Sequence, residues 1–141
     1  MKNLTLILVL SFLRTEEGGS IEHNQIHFRA EFTIEEGKLQ EYKKLIQDMS
    51  RMVENNEPDT INYQFYLNRY ETKCMVHETY TNSESVLAHI TGVASKTILP
   101  KIFNISKLNR LDVYGNPSEQ LQNVLRSFNS QTFNLFTGFS R

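Results

Sequence analysis

The chain has 141 residues, of which 39% are hydrophobic, and these values are typical of one folded domain with a sizeable core. Its 15 basic and 16 acidic residues nearly balance, so the sequence lacks the basic excess of a nucleic-acid-binding protein. A single cysteine, Cys74, excludes an internal disulfide but leaves the cellular compartment open.

Residues 1–22 form an N-terminal apolar extension or signal-like segment that precedes a predicted domain of residues 23–141. Lys2 stands before an apolar run from Leu4 to Leu13, which has the length and flanks of a signal-peptide core. Spanning a bilayer takes about 20 apolar residues, so no stable membrane span is predicted. Two interpretations stay open: export through this segment, or a cytoplasmic protein that retains it packed on the domain.

The first predicted strand runs from Ile26 to Thr33, because apolar and polar residues alternate along it. Its polar face carries His27, Arg29 and Glu31, which either meet water, line a pocket or meet a partner subunit. His23 and His27 are four residues apart, but at the start of a strand that spacing separates the side chains. No metal site is therefore predicted.

A long helix is predicted next, from Glu35 to Asn55, because apolar residues recur there at every third or fourth position. Asn56 and Pro58 favour its end at that point. Met49 and Met52 lie on the apolar stripe, and core packing is their expected role.

Two strands follow, from Ile61 to Leu67 and from Lys73 to Tyr80, joined by a loop of about four to five residues. In the first of these strands, one predicted face comprises Ile61, Tyr63, Phe65 and Leu67, and the other includes Tyr66. In the second, Glu78 and Tyr80 alternate with His77, so neither face is purely apolar. This mixture predicts polar and titratable side chains on both faces of the sheet.

A helix is expected to start at Thr81, where Thr81 and Glu84 have the spacing of a capping box, and it carries His89 beside its apolar stripe. Gly92 is expected to interrupt this helix, and Pro100 to kink or restart the next one.

The last predicted strand spans Lys107 to Tyr114 and is followed by a helix with Asn116 as its cap and Pro117 at its first position. The tail after residue 132 is too apolar to remain in water, so we expect it to dock on its own domain or on a second copy.

Several of these segments together resemble the antibiotic biosynthesis monooxygenase (ABM) family, which includes quinol monooxygenases. In order, the similar segments are Glu57–Tyr63, Glu78–Tyr80, Thr81–Glu84 and His89, with Tyr114–Glu119 and Gly138–Arg141 resembling a longer branch of the family. The order strand, helix, strand, strand, helix, strand is that of a ferredoxin-like α+β fold, βαββαβ, here with an extra C-terminal helix and tail. The resemblance implies a homodimer whose two sheets close into a dimeric α/β barrel.

The resemblance also implies a chemistry: oxidation of a quinol-like or polyketide-like aromatic small molecule, with molecular oxygen as co-substrate and no cofactor. The sequence carries no glycine-rich phosphate loop, metal-spaced cluster or nucleophile elbow that would indicate another reaction. Such an oxidation needs an apolar cavity, a base that ionises the aromatic hydroxyl, and donors that stabilise the anion.

The residues expected to carry this chemistry fall into two groups. The candidate catalytic residues are His89 and Glu78; the candidate substrate-binding residues are His27, Arg29, Tyr66 and Tyr80. Each has a structural alternative. His89 could be a partly buried histidine bonded to a carbonyl, Glu78 could pair with Arg29 or Arg110, and the tyrosines could pack with their hydroxyls in water.

Two other functions stay open. Some members of the family degrade haem and hold a tryptophan against it, whereas this chain has no Trp and places Tyr80 in that region. The chain could also be a non-catalytic small-molecule-binding dimer on the same scaffold, because a fold does not determine a function.

Overall fold

The structure is a computed structural model that describes residues 24–141, so the predictions made for residues 1–22 lie outside the described residues. The strands are β1 (Ile26–Ile34), β2 (Thr60–Leu67), β3 (Lys73–Tyr80), β4 (Ser106–Tyr114) and β5 (Gln131–Phe133). The helices are α1 (Leu39–Asn56), α2 (Ser83–Thr91), α3 (Val93–Thr97), α4 (Leu99–Asn104) and α5 (Glu119–Leu125), followed by a 3-10 turn at Arg126–Phe128.

The five strands form one sheet in the order β2-β3-β1-β4-β5. The pairs among β1 to β4 are antiparallel, whereas β5 pairs with β4 in parallel. One sheet face is buried beneath the helices, since alternate residues of β1 from Ile26 to Ile34 are buried. The predicted ferredoxin-like α+β fold is confirmed, with β5 added at the β4 edge.

The core lies between this inner sheet face and the helices. Helix α1 contributes Tyr42, Met49 and Val53, all almost fully buried, so the core role predicted for Met49 is confirmed. Met52 packs against the same core while staying partly exposed. In residues 24–141, no helix has both the length and the apolar character needed to cross a membrane.

The predicted start of α1 at Glu35 is wrong, because the chain first makes a turn. Gly37 adopts φ +79°, a left-handed conformation that suits glycine, and the Lys38 amide donates to the Glu35 carbonyl. The Glu35 amide in turn donates to the Ile105 carbonyl, which ties this turn to the start of β4. Helix α1 therefore begins four residues later, at Leu39.

Two of the predicted helix caps are also wrong. Helix α2 is capped by Asn82, whose side chain accepts from the Ser85 amide, while the Thr81 hydroxyl donates to the Asp59 carbonyl. Helix α5 is capped by Ser118, not Asn116. In both cases another capping residue lies one or two positions further along, and tertiary contacts decide which one is used.

Ile61 does not share the inner face with Tyr63 as predicted. The pairing of β2 with β3 shifts register between Thr60 and Asn62, which leaves Ile61 as the extra residue of a bulge. Its side chain is 55% exposed. The alternation from Tyr63 onward follows the prediction.

The tail docks only in part. β5 lies beside β4, and the Phe133 ring stacks on Tyr114 with centroids 5.3 Å apart. Beyond β5 the side chains of Leu135, Phe136 and Phe139 are exposed. The prediction that the tail packs on its own domain is therefore confirmed for β5 and for Asn134, whose side-chain amide donates to the Gly115 carbonyl.

Gly115, which joins β4 to the following loop, is expected to be intolerant of a side chain. It has φ +120°, and a Cβ there would stand 2.6 Å from the Gln25 carbonyl oxygen, a backbone atom that cannot swing away. We expect Gly115→Ala to lower the free energy of unfolding by about 2 kcal/mol, as measured by urea denaturation.

Gly37→Ala is the matched control, because Gly37 also has positive φ but open space around its Cβ position. Gly37→Ala should lower the free energy of unfolding by about 1 kcal/mol, because it introduces the backbone strain alone. Equal losses for the two variants would show that the approach to Gln25 contributes nothing.

Candidate active site

A cavity of about 200 Å³ lies between the inner sheet face and the helices. Its walls are mainly apolar: Phe28, Ala30, Phe32, Phe65, Val76, Ile90, Leu99, Ile102, Phe103, Leu108, Leu111, Leu125 and Phe128. The polar side chains on the wall belong to Tyr42, Tyr63, Glu78, His89, Ser95 and Lys96. This is the composition of a small-molecule site, in which a few polar groups orient an otherwise apolar ligand.

His89 is held by a carboxylate from a distant part of the chain. It lies on α2, 5% exposed, with Nδ1 2.7 Å from Oε2 of Glu57, which follows the end of α1. An ionised carboxylate only accepts hydrogen bonds, so the Nδ1 proton points at Glu57 and Nε2 is left as the acceptor. Nε2 lies 3.4 Å from the hydroxyl of Ser95, which also lines the cavity. The imidazole is thus oriented with its basic nitrogen towards the Ser95 side of the cavity.

The break after α2 leaves room for this pair. Gly92 ends the helix in an extended conformation, as predicted from its position, and α3 starts at the next residue. A Cβ on Gly92 would stand 3.2 Å from Oε1 of Glu57 and 3.0 Å from the Ala88 carbonyl oxygen. The absence of a side chain therefore permits the carboxylate to reach His89.

The charge state of His89 is set by opposing effects. Burial alone lowers the pKa of His89, but the hydrogen bond to Glu57 and the negative charges of Glu78 and Glu57 raise it by more. The net pKa lies above the ordinary value of 6.5. With its pKa raised, the neutral imidazole is a stronger base than that of a free histidine.

Glu78, which lines the cavity, forms a second pair with Tyr80, which is buried behind the wall. They are alternate residues of β3, so both side chains point to the inner face, and the Tyr80 hydroxyl donates to Oε2 of Glu78. Burial is the main cause that raises the pKa of Glu78, and the charge of Glu57 adds to it, whereas His89 and Tyr80 act in the opposite direction. Burial and the Glu78 charge raise the pKa of Tyr80 well above 10, so it stays a neutral donor.

Aromatic rings frame the imidazole. The rings of Tyr63 and Tyr80 have centroids 5.3 and 5.4 Å from that of His89. Burial raises the pKa of Tyr63 well above its usual value, and the charges of Glu78 and Glu57 add to this effect. His89 therefore sits between two neutral phenol rings, with carboxylates at its edges.

Of the six residues proposed from the sequence, His89 and Glu78 line the cavity, and Tyr80 contacts both of them from behind its wall. The other three, His27, Arg29 and Tyr66, lie on the opposite face of the sheet, in line with the strand alternation. Nδ1 of His27 lies 3.0 Å from the Thr79 hydroxyl, and the Arg29 guanidinium lies 5.8 Å from the Tyr114 ring centre.

The structural alternatives are resolved individually. His89 bonds a carboxylate and not a carbonyl, and Glu78 bonds Tyr80, whereas Arg110 pairs with Asp112 at 2.8 Å on the other face. Tyr80 is fully buried with its hydroxyl on Glu78, so the alternative of a hydroxyl in water is wrong for it. Tyr66 is half exposed and donates to Gln64.

Sequence reasoning did not assign a role to Glu57, Tyr63 or Ser95. Glu57 and Tyr63 lie in the segment that resembles the family, but no local pattern indicates a role for either side chain. Within residues 24–141, no three His, Cys, Asp or Glu side chains are arranged to hold a metal ion.

No curated protein matches the chain. Among solved structures, MupZ from Pseudomonas fluorescens is similar over 84% of this chain and 95% of its own, with a TM-score of 0.74 and 24% identity. A Caulobacter crescentus protein proposed to be an antibiotic biosynthesis monooxygenase matches over 64% and 86%, with a TM-score of 0.58 and 20% identity.

A conserved protein from Methanosarcina mazei Go1 is similar over 67% of this chain and 94% of its own, with a TM-score of 0.59 and 19% identity. At these identities the three structures support the fold alone. The sequence itself matches the family model for antibiotic biosynthesis monooxygenases over residues 26–98, which is more than half of its length and includes β1 through α3 with Glu57, Glu78 and His89. The chain therefore belongs to the antibiotic biosynthesis monooxygenase family.

Proposed function

We propose that the protein is a cofactor-independent monooxygenase that oxidises a quinol or related phenol of one aromatic ring, with O2 as co-substrate. The observation that carries this proposal is the buried Glu57–His89 pair on the wall of an apolar cavity. The pair supplies a base, and the cavity supplies a water-poor space in which an electron-rich ring can meet O2, which is itself apolar.

The size of the cavity favours a small ring. An engineered apolar cavity of about 150 Å³ binds benzene. The present cavity has a volume of about 200 Å³, and the additional volume is enough for a few small substituents on one ring. A single-ring quinol fits this space better than a polycyclic polyketide, which would have to extend out of the cavity. The walls of Phe28, Phe65 and Leu111 suit the faces of such a ring.

The proposed reaction begins with proton transfer. Nε2 of His89 takes the proton of the ring hydroxyl, while the Nδ1 proton stays hydrogen-bonded to Glu57, and the imidazolium remains paired with a carboxylate. The resulting phenolate transfers electrons to O2, and a carbon–oxygen bond forms at a ring carbon to give a peroxide. In its protonated form, Glu78 can give the distal peroxide oxygen a proton, with Tyr80 holding its other oxygen.

The step that ends the reaction breaks the oxygen–oxygen bond. The ring carbon loses its hydrogen as a proton to the Glu78 carboxylate, and one oxygen atom stays on the ring. The other oxygen leaves as hydroxide and takes the proton of the His89 imidazolium to become water, so both side chains return to their starting forms. For a simple quinol the products are a hydroxyquinone and one water, so the four electrons given up by the ring equal the four accepted by O2.

The test is oxygen uptake with a panel of quinols and phenols, together with mass spectrometry of products formed under 18O2. We expect one O2 consumed per quinol and one labelled atom in each product, with heat-denatured protein as the control for autoxidation. Uptake that yields hydrogen peroxide and no label would contradict the proposal. Tight binding without turnover would instead indicate a binding protein, and a saturable Soret shift with haem would indicate haem degradation.

We also propose that the protein acts as a homodimer that pairs the outer sheet faces. Support comes from the family and from the mixed outer face, where Tyr66 and His77 have ring centroids 5.0 Å apart and Tyr66 is 50% exposed. Sedimentation equilibrium should give twice the mass of the chain. A monomer at micromolar concentration would contradict this part of the proposal.

A further inference from the structure

Two of the residues that line the cavity are exposed to solvent. Among its lining residues in the part of the chain that the structure describes, just two are exposed: Lys96 on α3 and Phe103 on α4. The polar groups of the proposed chemistry, His89 and Ser95, are buried. Lys96 directly follows Ser95, the residue beside Nε2 of His89, so a ligand that places its hydroxyl near His89 can bring a second group to Lys96.

Among residues 24–141, Lys96 is the only Lys or Arg whose side chain lines the cavity. Within the same residues no carboxylate lies within 4.0 Å of its ammonium group, whereas Lys38, Lys43, Lys44 and Lys73 each pair with an acid. Its charge is thus available to a ligand at the mouth of the cavity.

We infer that the substrate carries an anionic group, a carboxylate on a short arm of the ring, which binds Lys96 at the mouth of the cavity. This inference rests on the proposed function for the chemistry and adds the substrate class. The Lys96 ammonium at the mouth and the Glu57 carboxylate behind the inner wall at His89 give the cavity a polarity along its length. An anionic end is attracted to the mouth and repelled from the inner wall, so the hydroxyl end enters first.

A simpler role for Lys96 is to cover the apolar wall with its aliphatic stem while the ammonium group stays in water. Lys96→Met separates the two roles, because methionine keeps an unbranched stem and removes the charge. Lys96→Arg keeps the charge. Lys101→Met is the matched control, because Lys101 is an exposed lysine on α4 that does not line the cavity.

The experiment compares 2,5-dihydroxyphenylacetate with its methyl ester on the full chain. For Lys96→Met we expect KM for the acid to rise about fivefold with kcat unchanged. A change of this size is what the loss of a partly exposed ion pair produces. KM for the ester should stay unchanged, and Lys96→Arg and Lys101→Met should behave as the parent protein. The preference for the acid should also weaken at high salt.

Equal changes in KM for acid and ester would overturn the inference and assign Lys96 to packing, as would a parent protein with no preference for the acid. Should the protein turn over neither compound, Kd values from tyrosine fluorescence measure the same preference. A charge-dependent Kd without turnover would support the anion site while contradicting the monooxygenase. Failure to bind the acid more tightly than the ester would overturn the anion site by itself.

Discussion

Replacing His89 with alanine is expected to lower kcat/KM for quinol-dependent oxygen uptake by about 100-fold or more. A positioned general base typically contributes 10²- to 10⁴-fold, and the remaining polar groups on the cavity wall do not replace it. Tyr63 and Tyr80 are held neutral by raised pKa values, and Tyr80 is already bonded to Glu78. The measurement is initial oxygen uptake with the best quinol of the panel, at saturating and limiting concentrations.

Because His89 is buried, His89→Asn accompanies the alanine variant as a change that retains more volume and polarity. His77→Ala is the matched control, since His77 lies on the outer sheet face beside Tyr66 and does not line the cavity. Circular dichroism and sedimentation should show all three variants folded and of the parental mass. If folded His89 variants retain more than a tenth of the parental kcat/KM, His89 is not the base.

Glu57→Gln is expected to move the pH dependence of the reaction to lower pH and to reduce kcat about 10- to 100-fold, the usual effect of removing a partner that orients a catalytic histidine. In the parent protein, kcat/KM should rise with pH through the pKa of His89, which lies above 6.5. The variant loses the charge that raises this pKa but keeps the burial that lowers it. The titration of the His89 ring proton by NMR measures the same shift without any substrate.

The contribution of the Glu57–His89 pair to the stability of the fold also depends on pH. The folded-state pKa of His89 is raised above its unfolded value of 6.5. The interaction therefore makes its full contribution to stability at pH values below the unfolded pKa. That contribution is lost as the pH rises through the folded-state pKa. The difference in unfolding free energy between parent and Glu57→Gln should therefore shrink between mildly acidic and alkaline buffers.

Glu84→Gln is the control for this variant, since Glu84 is an exposed carboxylate in the first turn of the same helix. It should leave both the pH profile and the NMR titration in place. An unchanged titration of His89 in Glu57→Gln would contradict the assignment of Glu57 as its positioning residue.

The fold was predictable because its strands carry their own signals. Alternation identified β1 and β3 almost to the residue, and the helical period identified α1 and the break at Gly92. The errors fell where local signals compete: two capping residues stand close together at the starts of α2 and α5, and the bulge at Ile61 depends on pairing with β3. Neither choice is determined by nearby residues alone.

The strand and the helix that carry the site were predictable from the sequence, but the contacts that their side chains make with other segments were not. Alternation showed that Glu78 and Tyr80 share a face, and equally that His27 and Arg29 share one, but it does not say which face borders a cavity. That depends on where the helices pack. The role of Glu57 was missed because its partner is 32 residues away, and no periodic pattern reports a contact of that range.

The hydrogen bond between His89 and Glu57 makes the pKa of His89 depend on the tertiary packing of the protein. The two partners come from the turn after α1 and from α2, so they meet only when those segments have docked. A compact intermediate with formed helices but loose packing would carry an ordinary, solvated imidazole. The raised pKa of His89 therefore requires the docking of α2 against the turn after α1 and would be lost with it.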